Sequence, residues 1–377
     1  MIEQALLIGI TALLAVGQLG RIELMGGLIN GYWFEVLMGV FALWYALHHR
    51  KTLFKPTQVT RAATVFIGWL LVSFFIPFHA FTLVQNGIAF LYLARLVLYT
   101  LFTIAVMSWV QKAEGNRAFV RSLLFTFTIL LLLISAAQYV LVHDLWSMYP
   151  YGWDPHELRI FGAYLDVFVP AAFFGLLAIY WFTQKNYALV AVLSIELVLT
   201  FSRSAYLALA LVVFITVLAT RKWHYLAFFV IAFVLMVALA PKQAGEGVNL
   251  MRTSTIQSRL HDTALGLQIV ASNSITGVGY NHIRYVKEQM GLLRLDDYSH
   301  SAAAFSSSYL IILVSSGIIG LLLFANLYWR IFALKGMAPY GIYLGVMALF
   351  DNVLLYGMIA VVVVLLFAVN YPWSSSQ

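Results

Sequence analysis

Long apolar runs alternate with short polar connections along most of the chain. Most runs match the length that an α-helix needs to cross a bilayer, and they lack the strict alternation of membrane β-strands. The pattern therefore predicts an all-α polytopic membrane protein with about twelve transmembrane helices, the eleventh short enough to be re-entrant. The predicted spans are roughly 4–20, 30–47, 62–78, 88–108, 119–142, 161–182, 187–201, 204–220, 224–240, 305–329, 339–350 and 353–370.

One long polar segment, residues 241–304, interrupts the pattern. It divides the chain into nine predicted membrane helices over 1–240, a loop with short helices, and three more membrane helices over 305–377. Irregular polar backbone is tolerated only where it is hydrated or buried in protein, so we expect the chemistry of the protein to involve this loop.

Two short helices are predicted inside the loop. Ser254 and Gln257 have the spacing of a capping box before a helix from about Thr255 to Ala271, and a second, polar helix is predicted over 282–289. The first helix either lies flat on the membrane surface or roofs a cavity and directs Arg259 into it. Its apolar residues recur at helical spacing: Ile256, Leu260, Ala264, Leu267 and Ala271.

Composition agrees with a membrane protein. Of 377 residues, 63% are hydrophobic and 10% are charged, whereas soluble domains have about 25% charged residues. The chain has no cysteine, which excludes disulfides, thiolate nucleophiles and cysteine metal sites. The first apolar run lacks a basic segment before it and a clear cleavage site, so it is predicted to be a membrane span and not a cleaved signal.

The net charge of +7 is explained by topology. Basic residues fall in every second short loop, and such loops face the cytoplasm. Both termini are then cytoplasmic, and the 241–304 loop faces outward. We therefore expect no nucleic acid partner. The basic residues of these loops are Arg50, Lys51, Lys55, Arg61, Lys112, Arg117, Arg121, Lys185, Arg221, Lys222, Arg330 and Lys335.

Several charged residues fall in or beside the apolar runs. A charge in the middle of a bilayer costs about 2.5–3.5 kcal/mol, so each needs a partner or water. They either form ion pairs that pin helices together, for example Arg95 with Asp166, or share a polar cavity open to the outside. These residues are Glu35, Arg95, Asp166, Glu196, Arg203 and Asp351.

Two polar stretches allow more than one interpretation. The aromatic residues of the outer loop near 143–162, Trp146, Tyr149, Tyr151 and Trp153, either form a membrane-interface belt or stack on sugar rings. The 296–300 stretch, Asp-Asp-Tyr-Ser-His, either binds a divalent cation or is a solvated loop tip. Its spacing is not that of a known metal site, and we expect neither a metal nor a cofactor.

Four motifs recur in order along the second half of the chain. An arginine and a glycine, Arg159 and Gly162, lead into a span after an outer loop. A Ser-Arg-Ser turn at 202–204 joins two spans. Arg259 opens the loop helix, and Gly-Val-Gly-Tyr follows at 277–280. Tyr309-Leu310 then precedes Gly-Ile-Ile-Gly at 317–320. Together these motifs resemble the O-antigen ligase and polymerase family, integral membrane glycosyltransferases with a GT-C-like fold, and the resemblance covers about residues 155–325.

The resemblance implies a glycan donor on undecaprenyl pyrophosphate, used at the outer face of the bacterial inner membrane. A diphosphate leaving group needs its growing charge neutralised, which arginine does by bidentate contacts. Arg203 and Arg259 are the predicted catalytic cradle, and His300 is the predicted base, with Asp166 as the alternative. The predicted substrate-binding residues are Arg95, Arg159, Asp166, Tyr280 and Arg284. Membrane lipids, a chain-length regulator and a flippase are the further partners that it implies.

The chain departs from the family pattern in two places, and the first departure favours a polymerase. The family's His-Asn before Tyr-Leu is replaced by Ser306-Ser307, and the proline before Gly-Val-Gly is replaced by Ile275-Thr276. A ligase that transfers finished glycan to lipid A core or protein stays open. So does a secondary transporter or flippase that uses intramembrane carboxylates as ion sites, namely Glu35, Asp166, Glu196 and Asp351.

Overall fold

A computed structural model describes residues 1–49, 57–151, 153–239, 248–249, 253–293 and 304–371. Within these ranges the fold is built mainly of α-helices. In chain order they are α1 Ile2–Val16, α2 Trp33–His48, α3 Gln58–Phe75, α4 Leu83–Val110, α5 Glu114–Leu141, α6 Phe168–Thr183, α7 Tyr187–Leu199, α8 Arg203–Thr220, α9 Trp223–Leu239, α10 Ser254–Ser272, α11 Ile283–Gln289, α12 Ser308–Phe332, α13 Ala338–Met347 and α14 Gly357–Asn370.

A helix lies at each of the twelve predicted spans, and α10 and α11 lie in the predicted outer loop. In the described part of the chain, six helices are long and apolar enough to cross a membrane: α1 with the turn after it, α3, α4, α5, α8 and α12. The protein is therefore a multi-pass α-helical membrane protein. The count of twelve spans, their orientation and the three-part division of the chain stay predictions.

The fold is not purely helical. Strands β1 (Arg21–Leu24) and β2 (Ile29–Tyr32) form an antiparallel hairpin between α1 and α2. Gly26 and Gly27 make the tight connection with positive φ angles of 66° and 92°, a backbone conformation that costs glycine little. Four-residue strands leave too little alternation to be recognised in the sequence, and the rest of the described fold is helical as predicted.

Helix α6 lies at the centre of the bundle. All its residues from Val169 to Trp181 are buried, and it packs against α7, α8, α13 and α14. The helix begins at Phe168, later than the predicted start near residue 161. Residues 161–167 instead form a short 3₁₀ turn over Gly162–Tyr164 and a left-handed residue, Leu165. Asp166 consequently lies outside the helix.

The loop helix α10 packs against α12 and leaves its predicted apolar residues exposed. Gly266 and Ile269 are buried, and Gly266 faces the side chain of Leu310 in α12. The predicted apolar residues, among them Ile256 and Leu260, are exposed on the outer side of the helix. The helix begins at Ser254, one residue earlier than predicted, and the side chain of its N-cap residue, Thr253, makes no capping hydrogen bond.

Helix α12 is broken at Gly317, where φ is 67° and ψ is −172°. The Gly-Val-Gly end of the outer loop docks against this break. The amide of Val278 donates to the carbonyl of Val314, and the amide of Ile318 donates to the carbonyl of Ser274, both at 2.9 Å. The loop is thereby hydrogen-bonded to a membrane helix at a fixed place.

Helix α3 satisfies carbonyl groups that the break frees. The indole of Trp69 donates to the carbonyl of Ser316, and the hydroxyl of Ser73 lies 2.8 Å from the carbonyls of Ser315 and Thr276. A broken helix at membrane depth needs such partners, because lipid offers none. The Gly-Ile-Ile-Gly motif at 317–320 did not by itself indicate the break.

Candidate active site

Most of the predicted site residues line one cavity of about 930 Å³. Side chains from the hairpin, α4, the 143–167 connection, α8, α10, the 280–285 segment and the α13–α14 connection line it. Seven of the eight predicted residues are among them: Arg95, Arg159, Asp166, Arg203, Arg259, Tyr280 and Arg284. His300 lies outside the described residues. A shared cavity does not show what each residue does, so the catalytic and substrate-binding roles of these residues stay predictions.

Arg203 and Arg259 meet in this cavity from two elements. Arg203 is the first residue of α8, and Arg259 lies in the second turn of α10. Their guanidinium groups are close enough for their charges to repel. The N-terminus of α8 adds its own partial positive charge. Two arginines beside a helix N-terminus suit a phosphate or diphosphate.

Asp351 contacts Arg259 and Ser204, the residue that follows Arg203 in the chain. Its Oδ1 atom lies 2.7 Å from Arg259 Nη2, and its Oδ2 atom accepts a hydrogen bond from the Ser204 hydroxyl. Burial raises the pKa of Asp351, while the Arg259 guanidinium and the Ser204 hydroxyl lower it. From the sequence, Asp351 was one of the charges expected to form an ion pair or share a polar cavity, and one of the possible transporter ion sites, but it was not a predicted site residue. Its position between two apolar runs was a signal, but nothing in the sequence connected it to Arg259.

Arg159 supports the turn that presents Arg203. It is buried, its Nε donates to the Thr200 carbonyl at 2.8 Å, and its Nη2 donates to the Phe201 carbonyl at 3.4 Å. Phe201 has a positive φ of 51°, so the turn needs such external support. The predicted substrate-binding arginine thus lines the cavity and also binds backbone next to Arg203.

Arg95 forms its ion pair with Glu35. Its Nη1 also donates to the Asn30 carbonyl at 3.0 Å, and its guanidinium lies 5.4 Å from the ring centroid of Tyr32. The Arg95–Asp166 ion pair that the sequence suggested is therefore wrong. These contacts join α4 to the hairpin and α2 at the far wall of the cavity.

Asp166 is a half-buried carboxylate in the cavity wall. Its pKa is raised to about 7, first by burial and then by the carboxylates of Asp351 and Asp154, against the lowering effects of the Phe168 amide hydrogen bond and the charge of Arg159. A carboxylate with a pKa near neutrality can accept a proton at physiological pH, as a general base must.

Tyr280 and Arg284 are presented by the docked end of the loop. Burial raises the pKa of Tyr280 to about 12, so its hydroxyl keeps its proton. Arg284 Nε lies 3.0 Å from Glu288 Oε1. Between them, His282 is fully buried, lies 3.0 Å from Asn86 Oδ1 and stacks on Phe81. Burial lowers its pKa to about 4, which keeps the imidazole neutral inside this packing.

A second, apolar groove of about 370 Å³ adjoins the cavity. Arg203 and Arg259 line both spaces, so they lie where the two meet. The apolar side chains of the groove are Leu207, Ile256, Leu260, Leu310, Leu349 and Phe350.

A family model described as O-antigen ligase matches residues 187–325, from α7 into α12. The chain carries an O-antigen ligase family domain. The resemblance predicted from the motifs is confirmed: over these residues the chain is similar to the O-antigen ligase and polymerase family. A comparison with curated proteins finds no match to the chain.

The O-antigen ligase domain contains Arg203, Arg259, Tyr280 and Arg284. Other residues that line the cavity lie outside the matched segment, among them Arg95, Arg159, Asp166 and Asp351. The domain alone therefore does not close the cavity, and the helices before and after it complete the wall.

Two alternatives of the sequence analysis concern other uses of carboxylates. Among the described residues no three His, Asp or Glu side chains are grouped to hold a metal ion, and the 296–300 stretch falls outside them. Of the carboxylates offered for a transporter, Glu35 and Asp351 each pair with an arginine.

Proposed function

We propose that the protein transfers a glycan from undecaprenyl pyrophosphate to a hydroxyl group of an acceptor sugar at the outer face of the inner membrane. The observation that carries this proposal is the position of Arg203 and Arg259 between a polar cavity and an apolar groove. Such a donor has a polar glycan, an anionic diphosphate and an apolar isoprenoid chain. The three adjoining surfaces match these three parts in the same order.

In the proposed step the acceptor oxygen attacks the anomeric carbon of the donor sugar. The bond from that carbon to the diphosphate oxygen breaks, and the electron pair leaves with undecaprenyl pyrophosphate. Arg203 and Arg259 neutralise the charge that grows on the diphosphate, which makes the proposed reaction metal-independent. The acceptor proton passes to a base, for which His300 and Asp166 are the two candidates.

The acceptor decides between two products. The Ser306-Ser307 departure supports polymerisation, in which the acceptor is another lipid-linked repeat unit. The description of the family model, O-antigen ligase, favours the second candidate, transfer to lipid A core or protein. Purified protein incubated with undecaprenyl-pyrophosphate-linked repeat units forms a ladder of lengthening chains if it polymerises. A ligase leaves these units unextended and consumes them only when lipid A core or the acceptor protein is added.

The arginine cradle is tested in the same assay. Arg203→Ala and Arg259→Ala should each lower transfer by about 100-fold or more, because a positioned charge is lost from the departing diphosphate. The matched control is Arg61→Ala, an exposed arginine on α3 that does not line the cavity. Wild-type product from either cavity variant, at equal protein, removes that arginine from the mechanism.

The outward orientation of the loop is part of the proposal and has its own test. Because the chain has no cysteine, single cysteines can be introduced without a background of native thiols. In intact spheroplasts a membrane-impermeant maleimide should label Asn273→Cys, after α10, and leave Gln184→Cys, after α6, unlabelled until lysis. The reverse pattern would place the arginines on the cytoplasmic side and overturn the proposed location.

A further inference from the structure

A cluster of exposed aromatic side chains lies on the cavity wall and has no part in the proposed transfer step. Residues Trp146–Tyr151 form a 3₁₀ segment before α6, and Trp146, Tyr149 and Tyr151 all line the cavity. They are 53%, 58% and 76% exposed, respectively. We name these three residues the aromatic rim.

The aromatic rim is held in a defined arrangement. The indole nitrogen of Trp146 donates to Glu157 Oε1 at 2.6 Å, and the Trp146 and Tyr149 ring centroids are 5.6 Å apart. A backbone hydrogen bond of 2.6 Å from Leu145 to Pro155 closes the base of the loop. The exposed ring faces are therefore positioned by the fold before any ligand binds.

Polar groups accompany these rings. Trp153 is buried under the guanidinium of Arg21, whose carbon lies 5.8 Å from the ring centroid. Arg21 in turn holds the side-chain oxygen of Asn30 at 2.8 Å, which joins the loop to the β-hairpin. Asn30, Asp154 and Glu157 line the cavity together with the aromatic rim. The same wall thus offers flat rings, carboxylates and an amide.

This combination fits a sugar better than it fits a lipid interface. One face of a sugar ring presents C–H groups that pack on the negative face of an aromatic ring, and its edge carries hydroxyls that donate to carboxylates. Aromatic residues of an interface belt face lipid at the headgroup level. The aromatic rim instead faces a polar cavity that also contains Arg203 and Arg259.

We propose that the aromatic rim is the subsite for the acceptor oligosaccharide, with Asp154 and Glu157 accepting hydrogen bonds from its hydroxyls. The assignment to the acceptor rests on the proposed function, because the arginines and the apolar groove account for the donor's diphosphate and lipid. An acceptor held at the rim extends through the common cavity toward the arginines.

The test measures binding of lipid-free oligosaccharide, without donor, so that it is independent of transfer. The probe is the repeat-unit oligosaccharide released by mild acid from the surface polysaccharide of the source strain, titrated calorimetrically. Trp146→Ala and Tyr149→Ala should each weaken binding about tenfold, since an aromatic contact contributes about 1 kcal/mol or more. Arg203→Ala should bind the oligosaccharide as the wild type does.

The matched control is Trp329→Ala on α12, which is 72% exposed and does not line the cavity. Trp146→Phe should retain most of the affinity because it keeps a flat ring. No binding to the wild-type protein, or equal binding to the alanine variants, overturns the inference. If these residues instead form an interface belt, the alanine variants should bind the oligosaccharide as the wild type does and should have lower thermal stability in liposomes. If the wild-type protein binds the oligosaccharide, the rim variants bind it more weakly and no product forms in the transfer assay, the sugar site is supported. In that case only the transfer proposal is refuted.

Discussion

Arg259 and Asp351 form an ion pair of 2.7 Å although 92 residues separate them in the chain. Arg259 belongs to the loop helix α10, and Asp351 belongs to the connection between α13 and α14. Ser204 of α8 binds the same carboxylate. One half-buried carboxylate therefore fixes three elements around the place where the cavity and the apolar groove meet.

Asp351→Asn should reduce transfer about tenfold or more. The amide keeps the size of the side chain but removes the charge that orients Arg259, and the charge of Arg259 is then left uncompensated in a half-buried site. Transfer and thermal melting in detergent are measured together, and we expect both to fall. Glu114→Gln, an exposed charge removal at the start of α5, is the control. Wild-type transfer by Asp351→Asn would show that the pair does not orient Arg259 for the reaction.

Arg159→Lys should reduce transfer indirectly, because it weakens the support of the turn that presents Arg203. A lysine has a single ammonium group and cannot reproduce the guanidinium fork that reaches the Thr200 and Phe201 carbonyls. The double variant Arg159→Lys/Arg203→Ala should transfer no more slowly than Arg203→Ala, because coupled residues are not additive. Arg121→Lys, on the exposed side of α5, is the control. Additive losses would give Arg159 a separate role, such as direct contact with substrate.

The pH dependence of transfer identifies the base. If Asp166 accepts the proton, activity should rise as pH increases through about 7, where its carboxyl loses its proton. Asp166→Asn should then abolish most transfer at every pH. A variant that retains the wild-type pH profile would exclude Asp166 and leave His300 as the candidate.

Stability should change with pH in the opposite direction. The pKa of Asp166 is higher in the folded protein than its ordinary value of 3.8, so the folded state binds this proton more tightly. The contribution of this proton to stability is complete below about pH 4 and is lost as pH rises through about 7. Asp166→Asn should remove this part of the pH dependence, measured as melting temperature between about pH 5 and pH 8 against the wild type.

Gly317→Ala should destabilise the protein strongly. A Cβ atom there would overlap the Ile275 carbonyl group, and the φ of 67° is unfavourable for alanine. Backbone overlap of this kind costs about 1–3 kcal/mol or more, and we expect a lower melting temperature and a more protease-sensitive outer loop. Gly87→Ala in α4, with open space around it, should be neutral or slightly stabilising. Equal melting of both variants would contradict the docking of residues 274–278 into the break.

The positions of the helices could be predicted from the sequence because burial in lipid imposes long apolar runs, and these need no knowledge of partners. The two loop helices were predicted from local sequence over about 255–271 and 282–289, and the structure has helices there, α10 and α11. The cost of charge near a membrane likewise pointed to Arg203 and Asp166 from the sequence alone. These signals are local, and each is contained in one stretch of the chain.

Only the tertiary structure decided how those stretches meet. The Arg259–Asp351 pair, the support of the Arg203 turn by Arg159, and the break of α12 at Gly317 each depend on groups from distant segments. A local pattern does not say which charge will face which, because that depends on how whole helices pack. For the same reason the sequence paired Arg95 with Asp166, whereas the fold brings Arg95 to Glu35. The residues carry the chemistry, and the packing of the bundle determines their partners.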